Sequence, residues 1–467
     1  MPDSRASSSP KIALALAGGG PLGAIYEIGT LTALAESLDG LDFNELDIYV
    51  GVSAGGFIAA GLANGLTPAA MCRMFIDSES AEVPFEPEML LKPAFAEYGR
   101  RAASVPGLIL ESLRDYFSNP VQKNLLASFQ RLAQAIPTGL FDNKGIGDYM
   151  ERLFSAPGRT NDFRDLRRQL FLVATDLDSG ASVAFGARGQ DHVPISTAIQ
   201  ASAALPGLFP PVQIDGHYFV DGALKKTMHA SVALKEGAGL VLCVNPLVPF
   251  DAELSARVKH GHKRRLIDGG LPVVLAQTFR AIIHSRMLTG IAKYEMEYKD
   301  ADVILFEPNS DDDDMFFTNM FSYSGRKRLS EHAYRKTRAE LLRRHDELSP
   351  KLAKYGIRIR KDVLLDPDRS LTRNMAQLKR TRAKAMGMSA LALSDALDEL
   401  ARAINRLNTS RAMAKRALAG QKRHISFLVL TPPPPCHTSC FYRLPILMTV
   451  IVSTPHGRRL LGEITTI

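Results

Sequence analysis

The sequence predicts an α/β fold in which buried parallel strands lead into helices through tight, glycine-rich turns. The first observation behind this prediction is an apolar run, Lys11 to Ala17, that is followed by a glycine loop and a helix-like segment. Unbroken apolar runs of strand length are typical of parallel strands that are buried on both faces. The second is the stretch Asp47 to Phe57, where a β-branched run meets the sequence GVSAG and then an apolar helix.

The glycine loop after the first strand leads into a helix predicted over 24–37. Free backbone N–H groups converge at a helix N-terminus and bind anions, and the helix dipole reinforces the effect. The loop also matches G-x-G-x-x-G, but the next strand runs into the GVSAG turn instead of ending in an acidic residue for a ribose. We therefore expect an acyl oxyanion site rather than a dinucleotide site, formed by Gly18, Gly19, Gly20, Pro21, Leu22 and Gly23.

The GVSAG turn after the second strand has the pattern of a nucleophile elbow. Ser53 stands at its apex, where a strand turns sharply into a helix. Small neighbours are needed there because a Cβ would clash as the chain reverses. Ser53 is therefore the first candidate for a covalent catalyst, and its elbow is completed by Gly51, Val52, Ala54 and Gly55.

The next elements are predicted from periodicity and from turn residues. The stretch 79–120 has many prolines and little periodicity, so we expect either a lid or irregular surface packing there. Helices are predicted over 55–65, 142–153, 195–204 and 273–298, and strands over 170–175, 181–185, 240–244 and 302–306.

A predicted β-hairpin brings an aspartate to the end of a strand. The Asp-Gly pair at 215–216 forms the turn, and the second strand ends at Asp221. Gly222 and Ala223 follow, and a glycine there lets another group approach. Asp221 can therefore meet Ser53 and accept its proton.

The glycine loop, the serine elbow and the Asp-Gly-Ala sequence, in this order, resemble the patatin-like phospholipase family. The resemblance extends over residues 10–225 and more weakly to about 310. It implies a three-layer α/β/α fold with a mostly parallel central sheet, and hydrolysis of phospholipid or lysophospholipid esters by a Ser-Asp dyad. By position, Ser53 would be the nucleophile, Asp221 the proton acceptor and residues 18–23 the oxyanion loop. Neither a cofactor nor a metal is expected.

Two positions depart from the family pattern. Leu22 stands where many relatives have Arg or Lys, and Lys225 and Lys226 stand near the point where relatives continue to Asn and Pro. We therefore expect the loop that holds Asp221 to differ in shape. Neither change removes the serine, the aspartate or the backbone donors.

Other functions remain open at this point. A Ser-His-Asp hydrolase would use His217, His229 or His284 as its base, oriented by an aspartate such as Asp176. The same ester chemistry fits an intracellular polyester depolymerase. A non-catalytic lipid-binding scaffold with this fold is the alternative of another class, and labelling of Ser53 by a fluorophosphonate would distinguish it from an enzyme.

Composition and charge predict a catalytic body with a basic extension. The chain is 46% hydrophobic and 23% charged, with a net charge of +8, which is ordinary for a soluble protein. Lys and Arg strongly outnumber Asp and Glu from residue 321 to 423. We predict a flexible N-terminus at 1–10, a patatin-like catalytic domain at 11–310, a basic helical extension at 311–424 and a low-order tail at 425–467.

Charge and hydropathy also indicate partners and location. The basic extension predicts peripheral contact with anionic membranes, at about 1 kcal/mol for each Lys or Arg near the surface. It lacks interleaved aromatic residues, so nucleic-acid binding is not expected. Apolar runs are too short for a signal peptide or for the roughly 18 residues of a membrane span, which predicts a cytoplasmic protein. The acidic run Asp311 to Asp314 is expected to be solvated surface.

Overall fold

The computed structural model describes residues 10–76, 92–118, 135–258, 265–317, 323–371, 447–454 and 457–465. The chain forms two compact units, Met1–Leu378 and Lys379–Ile467. The first unit contains both predicted catalytic motifs and the glycine loop, so it is the unit that matters for the site.

An eight-stranded sheet lies at the centre of the first unit, with the strand order β6-β7-β4-β3-β1-β8-β9 and β5 paired to β4. Strands β4, β3, β1, β8 and β9 are parallel to one another. Strands β5 and β7 pair with β4 in the antiparallel direction, and β6 pairs antiparallel with β7. A separate pair, β2 and β10, is antiparallel. The strands are β1 (Lys11–Leu16), β2 (Leu38–Asp39), β3 (Ile48–Val52), β4 (Gln169–Asp176), β5 (Ser182–Phe185), β6 (Val212–Ile214), β7 (His217–Asp221), β8 (Ala238–Val244), β9 (Asp302–Phe306) and β10 (Arg358–Ile359).

Helices cover both faces of the sheet. Along β1, Leu14 and Leu16 join one hydrophobic cluster while Ala13 and Ala15 join another, because successive side chains of a strand point to opposite faces. The predicted three-layer α/β/α fold with a mostly parallel sheet is therefore confirmed. The helices are α1 (Gly20–Ser37), α2 (Ala54–Ala63), α3 (Pro68–Met71), α4 (Phe95–Ser118), α5 (Lys144–Phe154), α6 (Ile195–Ser202), α7 (Ala230–Lys235), α8 (Ala252–Val258), α9 (Gly270–Glu297), α10 (Asp313–Phe317), α11 (Tyr323–Arg343), α12 (His345–Ala353) and α13 (Lys361–Leu365).

Two helices differ from the sequence-based prediction. Helix α1 begins at Gly20, inside the glycine loop, because Pro21 in the first turn needs no hydrogen-bond acceptor for its nitrogen. Helix α4 occupies part of the stretch predicted to lack periodicity, and Pro106 lies inside it. The prolines of the stretch 79–120 therefore do not prevent a helix in its described part; residues 79–91, 119 and 120 lie outside the described residues.

Helix α11 packs closely against α1. A Cβ placed on Gly29 would lie only 2.3 Å from the backbone oxygen of Ser330, so the two helix backbones approach where α1 has no side chain. The Tyr334 hydroxyl donates to Glu36 Oε2 at 2.7 Å. Buried side chains of α11 belong to the same hydrophobic cluster as the sheet. We therefore propose that the catalytic body includes residues 323–371 as well as the predicted domain.

The second unit contains a β-hairpin. Strands β11 (Leu447–Thr454) and β12 (Gly457–Thr465) are antiparallel, with Leu447 opposite Thr465. The sequence analysis predicted no coherent element after residue 424 and was wrong for this segment, because it gave more weight to the prolines than to the β-branched run at 449–452. The part of the predicted basic helical extension after residue 371 lies outside the described residues. Among the helices that are described, none is both long and apolar enough to cross a membrane.

Candidate active site

Ser53 lies in the sharp turn between β3 and α2, as the sequence predicts. Its backbone has φ 52° and ψ −122°, a conformation that is rare for a residue with a side chain. The turn is tight: a Cβ on Gly51 would lie 2.5 Å from the Cα of Gly56, and one on Gly55 would lie 2.5 Å from the oxygen of Ala17. The two glycines therefore allow the close approach, while the serine itself takes the strained conformation.

Asp221 lies next to Ser53 at the end of β7. The N–H of Ala223 donates a hydrogen bond to Oδ1 at 2.8 Å, and the neighbouring Ser53 hydroxyl lowers the pKa of the carboxyl group. The carboxylate is almost completely buried, with 3% of the residue exposed. Burial raises the pKa of Asp221 to about 6, although the Ala223 N–H and the Ser53 hydroxyl both act in the opposite direction.

The glycine loop lies beside the serine. A Cβ on Gly18 would lie 3.2 Å from the Cβ atoms of both Ser53 and Ala223. Helix α1 starts at Gly20 with Gly19 as its N-cap, so its positive dipole end is directed at this loop. Within the described part of the chain, the N–H groups of Gly19 and Gly20 donate to no acceptor. The structure thus brings the three predicted motifs together.

Ser202, at the end of α6, is a positioning residue that the sequence analysis did not identify. Its hydroxyl accepts a hydrogen bond from the Ser53 N–H at 2.8 Å and donates one to the Val173 oxygen at 2.6 Å. Ser202 is fully buried. It therefore ties the nucleophile turn to β4, and the only sequence signal for it was the run of small residues in 195–204.

Replacing Ser202 by alanine is expected to destabilise the fold, because a buried N–H and a buried carbonyl each lose a partner. Leaving buried polar groups unsatisfied costs about 1 to 3 kcal/mol of unfolding free energy. Urea unfolding would measure the loss. The exposed Ser285→Ala variant is the matched control and should unfold like the wild type; equal stability of both variants would contradict the positioning role.

Two of the histidines considered as bases lie in contacts of their own. His217 is exposed at the start of β7, and its Nδ1 lies 3.3 Å from Asp176 Oδ2. His284, on α9, has its Nε2 3.4 Å from Glu307 Oε2. Neither histidine has a recorded hydrogen bond to the nucleophile within the described residues.

His229 lies closer to the site but is also not hydrogen-bonded to Ser53 in the described region. Its Nε2 lies 3.3 Å from the carbonyl oxygen of Gly222. Burial lowers the pKa of His229 to about 4, so the ring is neutral at physiological pH. The contacts of all three histidines therefore favour Asp221 as the partner of the serine.

The acidic run at 311–314 contributes to one cluster with metal-ligand residue types. Ligand atoms of Asp312, Asp314 and His332 lie within 4.8 Å of one another. Asp312 is buried rather than solvated, which corrects the expectation for that residue, because His332 Nε2 pairs with its Oδ2 at 2.6 Å. Arg328 pairs with Asp314 at 3.4 Å. The cluster is thus explained by contacts among its own members and by the ion pair with Arg328.

The family model described as Patatin-like phospholipase matches residues 14–234. The match spans the glycine loop, the serine elbow and Asp221, which the fold places side by side. The chain carries a patatin-like phospholipase domain. The resemblance predicted from the motifs is therefore confirmed.

Several solved structures are similar to the chain at low identity. VipD from Legionella pneumophila is 16% identical, with 72% of this chain and 67% of that chain covered and a TM-score of 0.34. The type III effector ExoU is 16% identical, with 81% and 63% covered and a TM-score of 0.31. Human GIVD cytosolic phospholipase A2 is 12% identical, with 74% and 60% covered and a TM-score of 0.28. This chain thus spans about two thirds of the length of each of these proteins or less.

Proposed function

We propose that the protein hydrolyses lipid acyl esters, of the phospholipid or lysophospholipid type, through a dyad of Ser53 and Asp221. The observation that carries this proposal is the position of the Ser53 hydroxyl beside a buried carboxylate, whose pKa it lowers. A carboxylate with a pKa of about 6 is ionised at neutral pH and is more basic than an ordinary aspartate. It can therefore take the serine proton as the oxygen attacks.

In the acylation step, Ser53 Oγ forms a bond to the ester carbonyl carbon while Asp221 accepts the hydroxyl proton. The tetrahedral oxyanion is then held by backbone N–H groups of Gly19, Gly20 and Ala54. Losing one such donor typically costs about 3 kcal/mol of transition-state stabilisation. Asp221 returns the proton to the leaving alcohol oxygen, which completes the acyl-enzyme.

In the deacylation step, water replaces the alcohol. Asp221 accepts a proton from the attacking water, whose oxygen bonds to the acyl carbon and gives a second tetrahedral oxyanion. The bond between this carbon and Ser53 Oγ then breaks, and Oγ takes the proton from Asp221. Both steps use the same base and the same donors. Leu22 offers no charge to the oxyanion, so the backbone donors and the dipole of α1 carry this stabilisation.

A fluorophosphonate is expected to label the wild-type protein at Ser53, because the probe reacts with activated serines. Mass spectrometry of the labelled peptide would locate the adduct, and the Ser53→Ala variant should remain unlabelled. Ser285→Ala is the control that should label normally. A folded wild-type protein without label would favour the alternative of a lipid-binding scaffold.

A panel of purified acyl esters would then define the substrate. Hydrolysis of phospholipids or lysophospholipids would agree with the proposal, whereas exclusive hydrolysis of a polyester would favour the depolymerase alternative. Contact of the basic extension with anionic membranes stays a prediction, because residues 318–322 and 372–424 of that extension lie outside the described part of the chain. A cytoplasmic location also stays a prediction.

A further inference from the structure

The loop that follows β8 runs beside the glycine loop. Strands β1 and β8 are parallel neighbours, so the chain leaves both of them at the same edge of the sheet. The N–H of Ala17, the first residue after β1, donates to the backbone oxygen of Val244 at the end of β8, at 3.0 Å. Asn245 and Pro246 come next, and both are buried. The first residues after β8 therefore lie next to the glycines that follow β1.

The ring of Pro246 packs against two of these glycines. A Cβ placed on Gly19 would lie 2.6 Å from Pro246 Cγ, and one placed on Gly23 would lie 3.0 Å from the same atom. Gly19 is the N-cap of α1, and Gly23 lies in the first turn of that helix, where its N–H donates to the Gly19 oxygen at 3.0 Å. The proline ring thus fills the space that side chains at these two positions would need.

Asn245 holds the proline in place. The side chain of Asn245 is fully buried and its hydrogen-bonding groups are paired. Its backbone N–H donates to the Phe306 oxygen at 2.9 Å, and its Nδ2 donates to Glu307 Oε2 at 3.0 Å. Its Oδ1 accepts a hydrogen bond from the Leu247 N–H at 3.0 Å. Pro246 is therefore fixed on both sides, because the residues before and after it are tied by these bonds.

The contact matters for the site because the glycine loop carries the proposed oxyanion donors. A Cβ on Gly18 would lie 3.8 Å from Ser53 Oγ, so this loop borders the nucleophile directly. Movement of the first turn of α1 would shift the N–H groups of Gly19 and Gly20 relative to Ser53. Such donors are effective only when they are held within about 0.5 Å of the productive position.

We propose that Pro246 is a positioning residue, which holds the first turn of α1 and thereby sets the position of the Gly19 and Gly20 N–H groups relative to Ser53. This role rests on the proposed function, because it concerns the donors of the oxyanion. The family match ends at residue 234, so the support comes from a part of the chain beyond the matched segment.

The first test replaces Pro246 by alanine, which keeps the Cβ and removes the part of the ring that contacts the glycines. We expect kcat for a soluble acyl ester to fall about tenfold, because a small displacement of catalytic groups is costly. KM should change less than about twofold, since oxyanion donors act mainly in the transition state. Pro249→Ala, in the same loop, is the matched control and should keep the wild-type kcat. A loss confined to KM in Pro246→Ala would overturn the proposal.

A second variant tests the contact by complementation. A Cβ on Gly23 would lie 3.6 Å from Pro246 Cβ, an ordinary contact, so only the ring opposes it. Gly23→Ala alone should push the first turn of α1 away and lower kcat about tenfold. The double variant Gly23→Ala/Pro246→Ala replaces the ring contact by a methyl contact and should recover kcat to within about threefold of the wild type. Losses that multiply in the double variant would overturn the proposal.

Hydrogen exchange separates the positioning role from the proposed function, since it needs no substrate. The readout is the peptide that spans residues 17–24, which includes the Gly23 N–H bonded to Gly19. It should exchange at least about threefold faster in Pro246→Ala than in the wild type and should return towards the wild-type rate in the double variant. An unchanged rate in Pro246→Ala would overturn the positioning role. This pattern of exchange in a protein that hydrolysed no ester would support the role of Pro246 and would overturn only the proposed function.

Discussion

Replacing Asp221 by asparagine is expected to lower kcat by about 10²- to 10⁴-fold, the effect of losing a general base. Asparagine can still accept the hydrogen bond of the Ala223 N–H, which reaches Oδ1 at 2.8 Å in the wild type. The loop should therefore keep its shape while the proton acceptor disappears. Initial rates on a soluble acyl ester would measure the loss.

Asp176→Asn is the matched control for this variant. Asp176 also lies at the end of a sheet strand and accepts N–H groups of its own turn, at 2.9 Å from Asp178. It should retain most of the activity. If instead His217→Gln or His229→Gln abolished turnover while Asp221→Asn retained it, a Ser-His-Asp mechanism would replace the dyad.

The same Asp221→Asn variant is expected to be more stable than the wild type at pH 8. The pKa of Asp221 is raised from 3.8 to about 6, so the folded state binds its proton more tightly than the unfolded chain does. The stability that this group contributes is therefore full below pH about 4 and is lost as the pH rises through 6. The buried charge of Asp221 lowers the free energy of unfolding at pH 8 by at most about 3 kcal/mol, and an asparagine side chain carries no such charge.

Urea unfolding of both proteins at pH 4 and at pH 8 would measure this difference. The gain in unfolding free energy should be present at pH 8 and should vanish at pH 4. If the variant is no more stable than the wild type at pH 8, the charged Asp221 carboxylate does not destabilise the folded protein. Loss of activity together with a gain in stability would show that Asp221 serves catalysis although its buried charge destabilises the folded protein.

The sequence alone predicted those parts of the site that depend on local backbone geometry. A serine between small residues, a loop of glycines and an Asp-Gly-Ala after a hairpin each have a local steric reason, so their positions at Ser53, Gly18 and Asp221 could be expected. Parallel β1 and β3 bring the glycine loop and the serine turn to one edge of the sheet, and the antiparallel β7 runs back along β4 to place Asp221 beside them.

Other parts of the site depend on long-range packing and leave little local pattern. Ser202 lies 149 residues from its partner Ser53, and one serine in a small-residue helix looks like any other. The attachment of α11 to α1 through Gly29 likewise could not be foreseen, since its basic composition suggested a separate extension.

The position of β8 has a consequence for how this domain is delimited. Strand β1, which carries the glycine loop, is paired on one side with β3 and on the other with β8, through Ile12 to Leu16 opposite Leu240 to Val244. The family match ends at residue 234, before β8 begins. A chain cut at that point would leave β1 as an open sheet edge with unpaired backbone groups next to the oxyanion loop. The segment shared with relatives is thus smaller than the unit that folds.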